Sequence, residues 1–176
     1  LGDHDGDGMD DFAIWGSGPD GGQAGAGAVF IASGGDSGLA GAITSSALPY
    51  TIDGAGELGF CKVMAGVDLD GNGLGDLACG DLAPSEAAGL GGTIGARVFL
   101  GATSVDAARD WDGADLVLTP ADPDDRTGSS LAGVLDLNGD DYGELLVGAP
   151  DLGLVTSSGG QPTSAPGVVY MVRLSE

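Results

Sequence analysis

Asp136-Leu-Asn138-Gly-Asp140-Asp-Tyr142-Gly-Glu144 places an oxygen-bearing side chain at positions one, three, five and nine of a short loop. The spacing recurs in Asp3-His-Asp5-Gly-Asp7-Gly-Met9-Asp-Asp11 and in Asp68-Leu-Asp70-Gly-Asn72-Gly-Leu74-Gly-Asp76. The copies start 65 and 68 residues apart. A hard divalent cation such as calcium takes six to eight oxygens, and alternate residues of a curled loop point theirs inward. The carbonyl at position seven (Met9, Leu74, Tyr142) adds another oxygen, and glycine at position four (Gly6, Gly71, Gly139) permits a left-handed turn. Without a cation, each like-charge carboxylate pair at about 4 Å costs on the order of 1–4 kcal/mol. Three repeats of that cost argue for an ion.

An EF-hand would carry a bidentate Glu at position twelve and helices on both sides. Here position twelve is Ile14, Cys79 and Val147. The flanks, such as Phe12-Ala-Ile14-Trp15 and Leu145-Leu-Val147, are short apolar runs ended by Gly or Pro, which read as strands. Each loop therefore joins two β-strands.

The rest of the composition agrees. The 36 glycines, without a three-residue period, punctuate turns in an all-β chain. Against 27 acids stand only Lys62, Arg97, Arg109, Arg126 and Arg173, scattered singly, which excludes a nucleic-acid groove. Three calcium ions would bring the formal charge of −22 to −16. No apolar run approaches the ~20 residues of a membrane helix, so membrane insertion is not expected. With Leu1 first and no signal peptide, the sequence reads as a processed product or a piece of something larger.

Along the chain, predicted strands fall at 11–16, 28–32 and 48–52, then 60–67, 76–80, 97–100 and 115–119, then 129–135, 144–149 and 168–174. Three, four and three strands, repeated at this period, predict propeller blades of four-stranded antiparallel sheets, about two and a half in all. The units span approximately 1–58, 59–126 and 127–176. The third strand of each unit, as in Val168-Val-Tyr-Met-Val172, is nearly all apolar, which predicts burial on both faces. If Asp68 faces Asp76 across a hairpin, Cys61 lies roughly 13 Å from Cys79. Two buried thiols are then expected, with a disulfide the alternative. His4, at position two, is expected to be solvated. Trp15 and Trp111 read as core or rim packing, Asp122-Pro-Asp124-Asp125 as a turn, and 156–166 as a flexible loop and O-glycan acceptor.

The third unit, from Gly128-Ser-Ser-Leu-Ala-Gly-Val-Leu-Asp136 to Leu145-Leu-Val-Gly148-Ala149-Pro150, resembles an FG-GAP repeat, the blade of the integrin α-subunit propeller. The second unit is similar but has Phe60 where Gly128 stands, and the first ends in Trp15-Gly-Ser. The resemblance implies calcium loops between the first and second strands of blades. Carried across, the ligands are Asp3, Asp5, Asp7, the Met9 carbonyl and Asp11; Asp68, Asp70, Asn72, the Leu74 carbonyl and Asp76; and Asp136, Asn138, Asp140, the Tyr142 carbonyl and Glu144. Asp141 replaces the usual position-six glycine.

The expectation is a non-catalytic, calcium-binding extracellular scaffold with three Ca2+ sites that binds a protein or glycan ligand in adhesion. The alternative is a structural subunit of a fibre or ring, in which copies of the chain complete one another's blades head to tail. A lone histidine outside any plausible dyad argues against Ser-His-Asp hydrolysis and against His-ligated zinc.

Overall fold

A computed structural model describes residues 1–16, 27–35, 48–54, 61–80, 95–104, 108–119, 127–150, 154–156, 162–164 and 167–174. These residues form an all-β architecture of partial propeller blades. The second sheet is a complete four-stranded blade. In it β4 (Val63–Val67), β5 (Asp76–Gly80), β6 (Ala96–Phe99) and β8 (Leu116–Leu118) lie side by side, each antiparallel to the next. The third sheet holds β9 (Ser130–Val134), β10 (Glu144–Ala149) and β13 (Val168–Val172), with β10 central.

The first sheet runs β1 (Phe12–Gly16), β2 (Ala28–Ala32), β3 (Tyr50–Asp53) and then β7 (Ala108–Asp110). The β7 strand comes from the connection between β6 and β8 and pairs parallel with β3. Nothing in the sequence of this three-residue strand marks it. A parallel partner so far away in the chain is chosen by proximity in the folded state. A short antiparallel hairpin pairs β11 (Leu154–Thr156), at the start of the 156–166 segment expected to be a flexible loop, with β12 (Pro162–Ser164) inside it. The Asp122–Asp125 cluster and Phe60 lie outside the described residues.

Two apolar layers hold the sheets together. Between the first and second lie Val29, Ile31, Ile52, Leu77, Phe99 and Trp111, with Trp15 at their margin. Between the second and third lie Val67, Leu69, Ala78, Val98, Leu145 and Val147. These layers place both tryptophans in packing roles, with the Arg97 guanidinium 4.5 Å above the Trp111 ring. Glycine allows the sheets to close: a Cβ on Gly133 would run into the Gly66 carbonyl of the neighbouring sheet.

Three expectations fail. First, Cys61 and Cys79 form a disulfide, with their Cα atoms 4.5 Å apart. Val67, not Asp68, faces Asp76, so Cys79 faces Met64. The strand begins only at Val63, and Cys61 sits before it in a turn with φ of 45°, which folds its side chain back to Cys79. An extended strand through Cys61 would have kept the sulfurs apart. Second, β13 is exposed along most of its length, unlike its buried counterparts β2 and β6. Among the described residues no strand pairs with its outer edge, whereas β6 has β5 on one side and β8 on the other. Third, His4 is buried, as the site geometry explains below.

Candidate metal centre

The second loop bridges β4 and β5, and the third bridges β9 and β10. The first precedes β1 and is closed by a bridge between Gly2 and Asp11, with the Asp11 N–H donating to the Gly2 carbonyl at 2.8 Å. In each, position four is left-handed: φ is 78° at Gly6, 72° at Gly71 and 84° at Gly139. Position six is left-handed too, at Gly8, Gly73 and Asp141. Asp141 reaches φ of 68° without glycine, in the region Asp tolerates better than most residues. Its loop curls like the others.

This curl brings carboxylates together. One oxygen from each of Asp3, Asp5 and Asp11 lies within 4.8 Å of the others, and the same holds for Asp68, Asp70 and Asp76, and for Asp136, Asp140 and Glu144. A common set of hydrogen bonds fixes them. The position-two N–H donates to the position-nine carboxylate in all three loops: His4 to Asp11 at 2.6 Å, Leu69 to Asp76 at 2.7 Å and Leu137 to Glu144 at 2.7 Å. The position-six N–H donates to the position-one carboxylate, from Gly8 to Asp3, Gly73 to Asp68 and Asp141 to Asp136.

The second loop is the most demanding electrostatically. Burial pushes the Asp76 carboxyl up to about 6. The Gly101 and Leu69 N–H groups oppose the shift, and the charges of Asp70 and Asp68 add to it. Asp68 Oδ1 is buried without a hydrogen-bond partner among the described residues, whereas the matching oxygens of Asp3 and Asp136 each accept two backbone N–H groups. An orphaned, buried carboxylate oxygen beside two further acids is a costly arrangement that a divalent cation would relieve. At Asp136, desolvation pushes the carboxyl up, but N–H groups of Asp141, Gly139, Asp140 and Asn138 outweigh it and hold it below the usual range.

Residues 127–166 match the FG-GAP repeat. The match covers the third loop and supports the resemblance to integrin-α-type propeller blades. A search of curated proteins finds no match to the chain.

Within this FG-GAP loop Asp136, Asp140 and Glu144 converge, and the amide of Asn138 donates to both Asp140 (3.0 Å) and Glu144 (2.8 Å). In the second loop Asn72 donates to Asp70 at 3.1 Å and to the Gly101 carbonyl at 3.2 Å. Asp7 stands apart from its expected group: its carboxylate accepts from the Met9 N–H and from the Ser33 hydroxyl. Met9, Leu74 and Tyr142 stand at position seven of the three loops.

Residues outside the loops also support them. The N–H of Gly34 donates to Asp11, and that of Gly101 to Asp76, both at 2.9 Å. Each of these glycines stands two residues beyond a third strand, β2 or β6, and a Cβ on either would crowd a loop carbonyl. A glycine two residues past these strands is the sequence signal for that support; the third unit has Leu174 there.

His4 departs furthest from its expected role. It is 1 % exposed, with Nδ1 2.6 Å from the Gly75 carbonyl. Position two points toward the next sheet rather than into solvent, because the loops stack edge to edge.

Proposed function

We propose that the chain is a calcium-stabilised, extracellular propeller segment that serves as a non-catalytic scaffold for a protein or glycan ligand. The observation that carries this reading is the convergence of three acidic side chains in each loop, from positions one and nine in all three and from position three or five besides, with Asp68 Oδ1 buried and unpartnered. The donor set is all oxygen, which suits a hard cation such as calcium rather than zinc. Asp3, Asp5 and Asp11, with Asp7 brought inward, would hold the first ion. Asp68, Asp70, Asn72 and Asp76 would hold the second, and Asp136, Asn138, Asp140 and Glu144 the third. The carbonyls of Met9, Leu74 and Tyr142 complete the proposed sets. Both asparagine amides lie among the carboxylates, and turning one about its Cβ–Cγ bond presents oxygen instead of nitrogen.

The role of the ion is structural: it neutralises charge that the fold concentrates, and its binding energy adds to stability. Extracellular modules bind calcium at roughly 10⁻⁴–10⁻³ M, a range filled outside cells and empty inside them. Among the described residues no helix is long and apolar enough to cross a membrane. Calorimetric titration with calcium tests the assignment. The expected stoichiometry is three ions per chain, falling to two in Asp70→Ala; a flat titration would remove the calcium reading altogether.

A specific observation favours a second reading, the fibre or ring built from copies of the chain. Val67 and Leu69, before and inside the second loop, are 5 % and 0 % exposed because the third sheet covers them. Their counterparts in the third loop, Leu135 and Leu137, are 86 % and 65 % exposed. At the opposite end of the stack Met9, Phe12 and Ile14 are also exposed. A head-to-tail contact between copies would bury both ends, and such a heterologous contact propagates. Sedimentation at increasing concentration tests it: assembly that Leu137→Asp and Phe12→Asp each abolish supports the fibre or ring. A single 17.0 kDa species at every concentration would eliminate it.

A further inference from the structure

We infer that the cation sites of successive loops are coupled, and that His4 is the positioning residue through which the first loop acts on the second. This inference rests on the calcium reading above.

Neighbouring loops touch by a repeated contact. The N–H of Gly75, position eight of the second loop, donates to the carbonyl of Asp3, position one of the first, at 2.6 Å. One step along, the N–H of Gly143 donates to the carbonyl of Asp68 at 2.7 Å. In both cases a position-one aspartate offers its carboxylate to its own loop and its carbonyl to the next. In both cases, too, the donor directly precedes the position-nine acid of its own loop, Asp76 or Glu144. Glycine suits position eight, since a Cβ on Gly143 would press on the Asp68 carbonyl and the Val67 side chain.

The first junction has an additional path. The backbone N–H of His4 is held by Asp11, its ring by the Gly75 carbonyl as the Nδ1–H tautomer, and its carbonyl by the Ala102 N–H at 3.0 Å. Ala102 adjoins Gly101, whose N–H donates to Asp76. Ligands of one loop are thus joined to ligands of the next through four hydrogen bonds, of which the three other than the Ala102 contact are buried. Leu69, at the same position in the second loop, packs among apolar residues and has no polar side chain to offer.

Coupling follows from what each ion must do. Before a cation binds, mutual repulsion among the acids favours looser loop conformations, and the cation selects the curled one. A curled first loop fixes Asp3 and Asp11, and through them Gly75 and Gly101, which frame Asp76. Part of the ordering cost of the second site is met when the first is filled, and by reciprocity the converse holds. Among the described residues the carbonyl contact is the one hydrogen bond that joins the third loop to the second, so the third is coupled more weakly.

Calcium titration of protein labelled with 15N-glycine tests this, because glycine amides mark each loop: Gly6 and Gly8, Gly71 and Gly73, and Gly139. Asp5→Ala removes a ligand from the first loop, one whose carboxylate accepts from the Asp7 N–H and the Tyr50 hydroxyl rather than from the second loop. It is expected to weaken calcium binding at Gly71 and Gly73 about five- to tenfold, within the usual span of coupling. His4→Leu, which installs the residue found at this position in the other loops, should leave three sites and shrink the effect of Asp5→Ala on the second. His4→Gln, keeping a donor, should restore part of it. A first site weakened by Asp5→Ala beside a second of unchanged affinity would overturn the coupling and leave the calcium reading standing. Absence of any calcium-dependent shift would overturn both. The Asp5→Ala comparison stands by itself should His4→Leu fail to fold.

Discussion

Excess chelator is expected to lower the thermal unfolding midpoint by on the order of 10 °C relative to 1 mM calcium. An ion that binds only the folded loop stabilises by RT ln(1 + [L]/Kd). With a dissociation constant near 10⁻⁴ M, each site contributes about 1.4 kcal/mol at 1 mM, and three sites about 4 kcal/mol. For a chain of this size each kcal/mol moves the midpoint by roughly 2–4 °C. The second loop should respond most, because there burial of Asp76 and the unpartnered Asp68 oxygen leave charge that the protein itself does not offset. Differential scanning calorimetry with calcium and with chelator provides the measurement, and far-ultraviolet circular dichroism should stay free of helical signal in both. Identical midpoints would mean that the acid clusters hold no stabilising ion.

Loss of the Cys61–Cys79 disulfide is the second large effect. The bond encloses a segment of sequence separation 18 that contains the whole second loop. Cross-linking a loop of that length removes denatured-state entropy worth about 3 kcal/mol. Paired Cys61→Ser and Cys79→Ser substitutions should therefore lower the midpoint by roughly 6–12 °C. Part of this loss reflects the placement of hydroxyls where both sulfurs are fully buried. Thiol titration of the denatured, unreduced protein should find no free cysteine; two thiols per chain would show that the bridge does not form. A disulfide also agrees with the proposed extracellular setting, where such bonds persist.

The two effects act on one hairpin. The disulfide ties the segment before β4 to β5, and the cation would tie the bend between these strands. Removing both is expected to cost less than the two separate losses together, because each restrains the same stretch of chain.

The sequence by itself determined the local chemistry. Acids at alternate positions, glycines where the backbone turns left-handed, and apolar runs of strand length are all short-range signals. They located the three loops, and they set β2, β5 and β10 at their observed bounds. The period of the repeat was enough for blades. What tertiary structure alone decided lies between the repeats. The β7 strand joins the first sheet because β3 offers an open edge there, a fact of proximity that no residue in Ala108–Asp110 encodes. The disulfide depended on one left-handed residue and a hairpin register shifted by one, and a period of two magnifies such a shift into a change of face. His4 is buried because loops stack against their neighbours. The same residue type at the end of the stack would meet water, as Leu137 does where Leu69 is covered. Periodicity reports what a side chain prefers; only packing settles what lies opposite it.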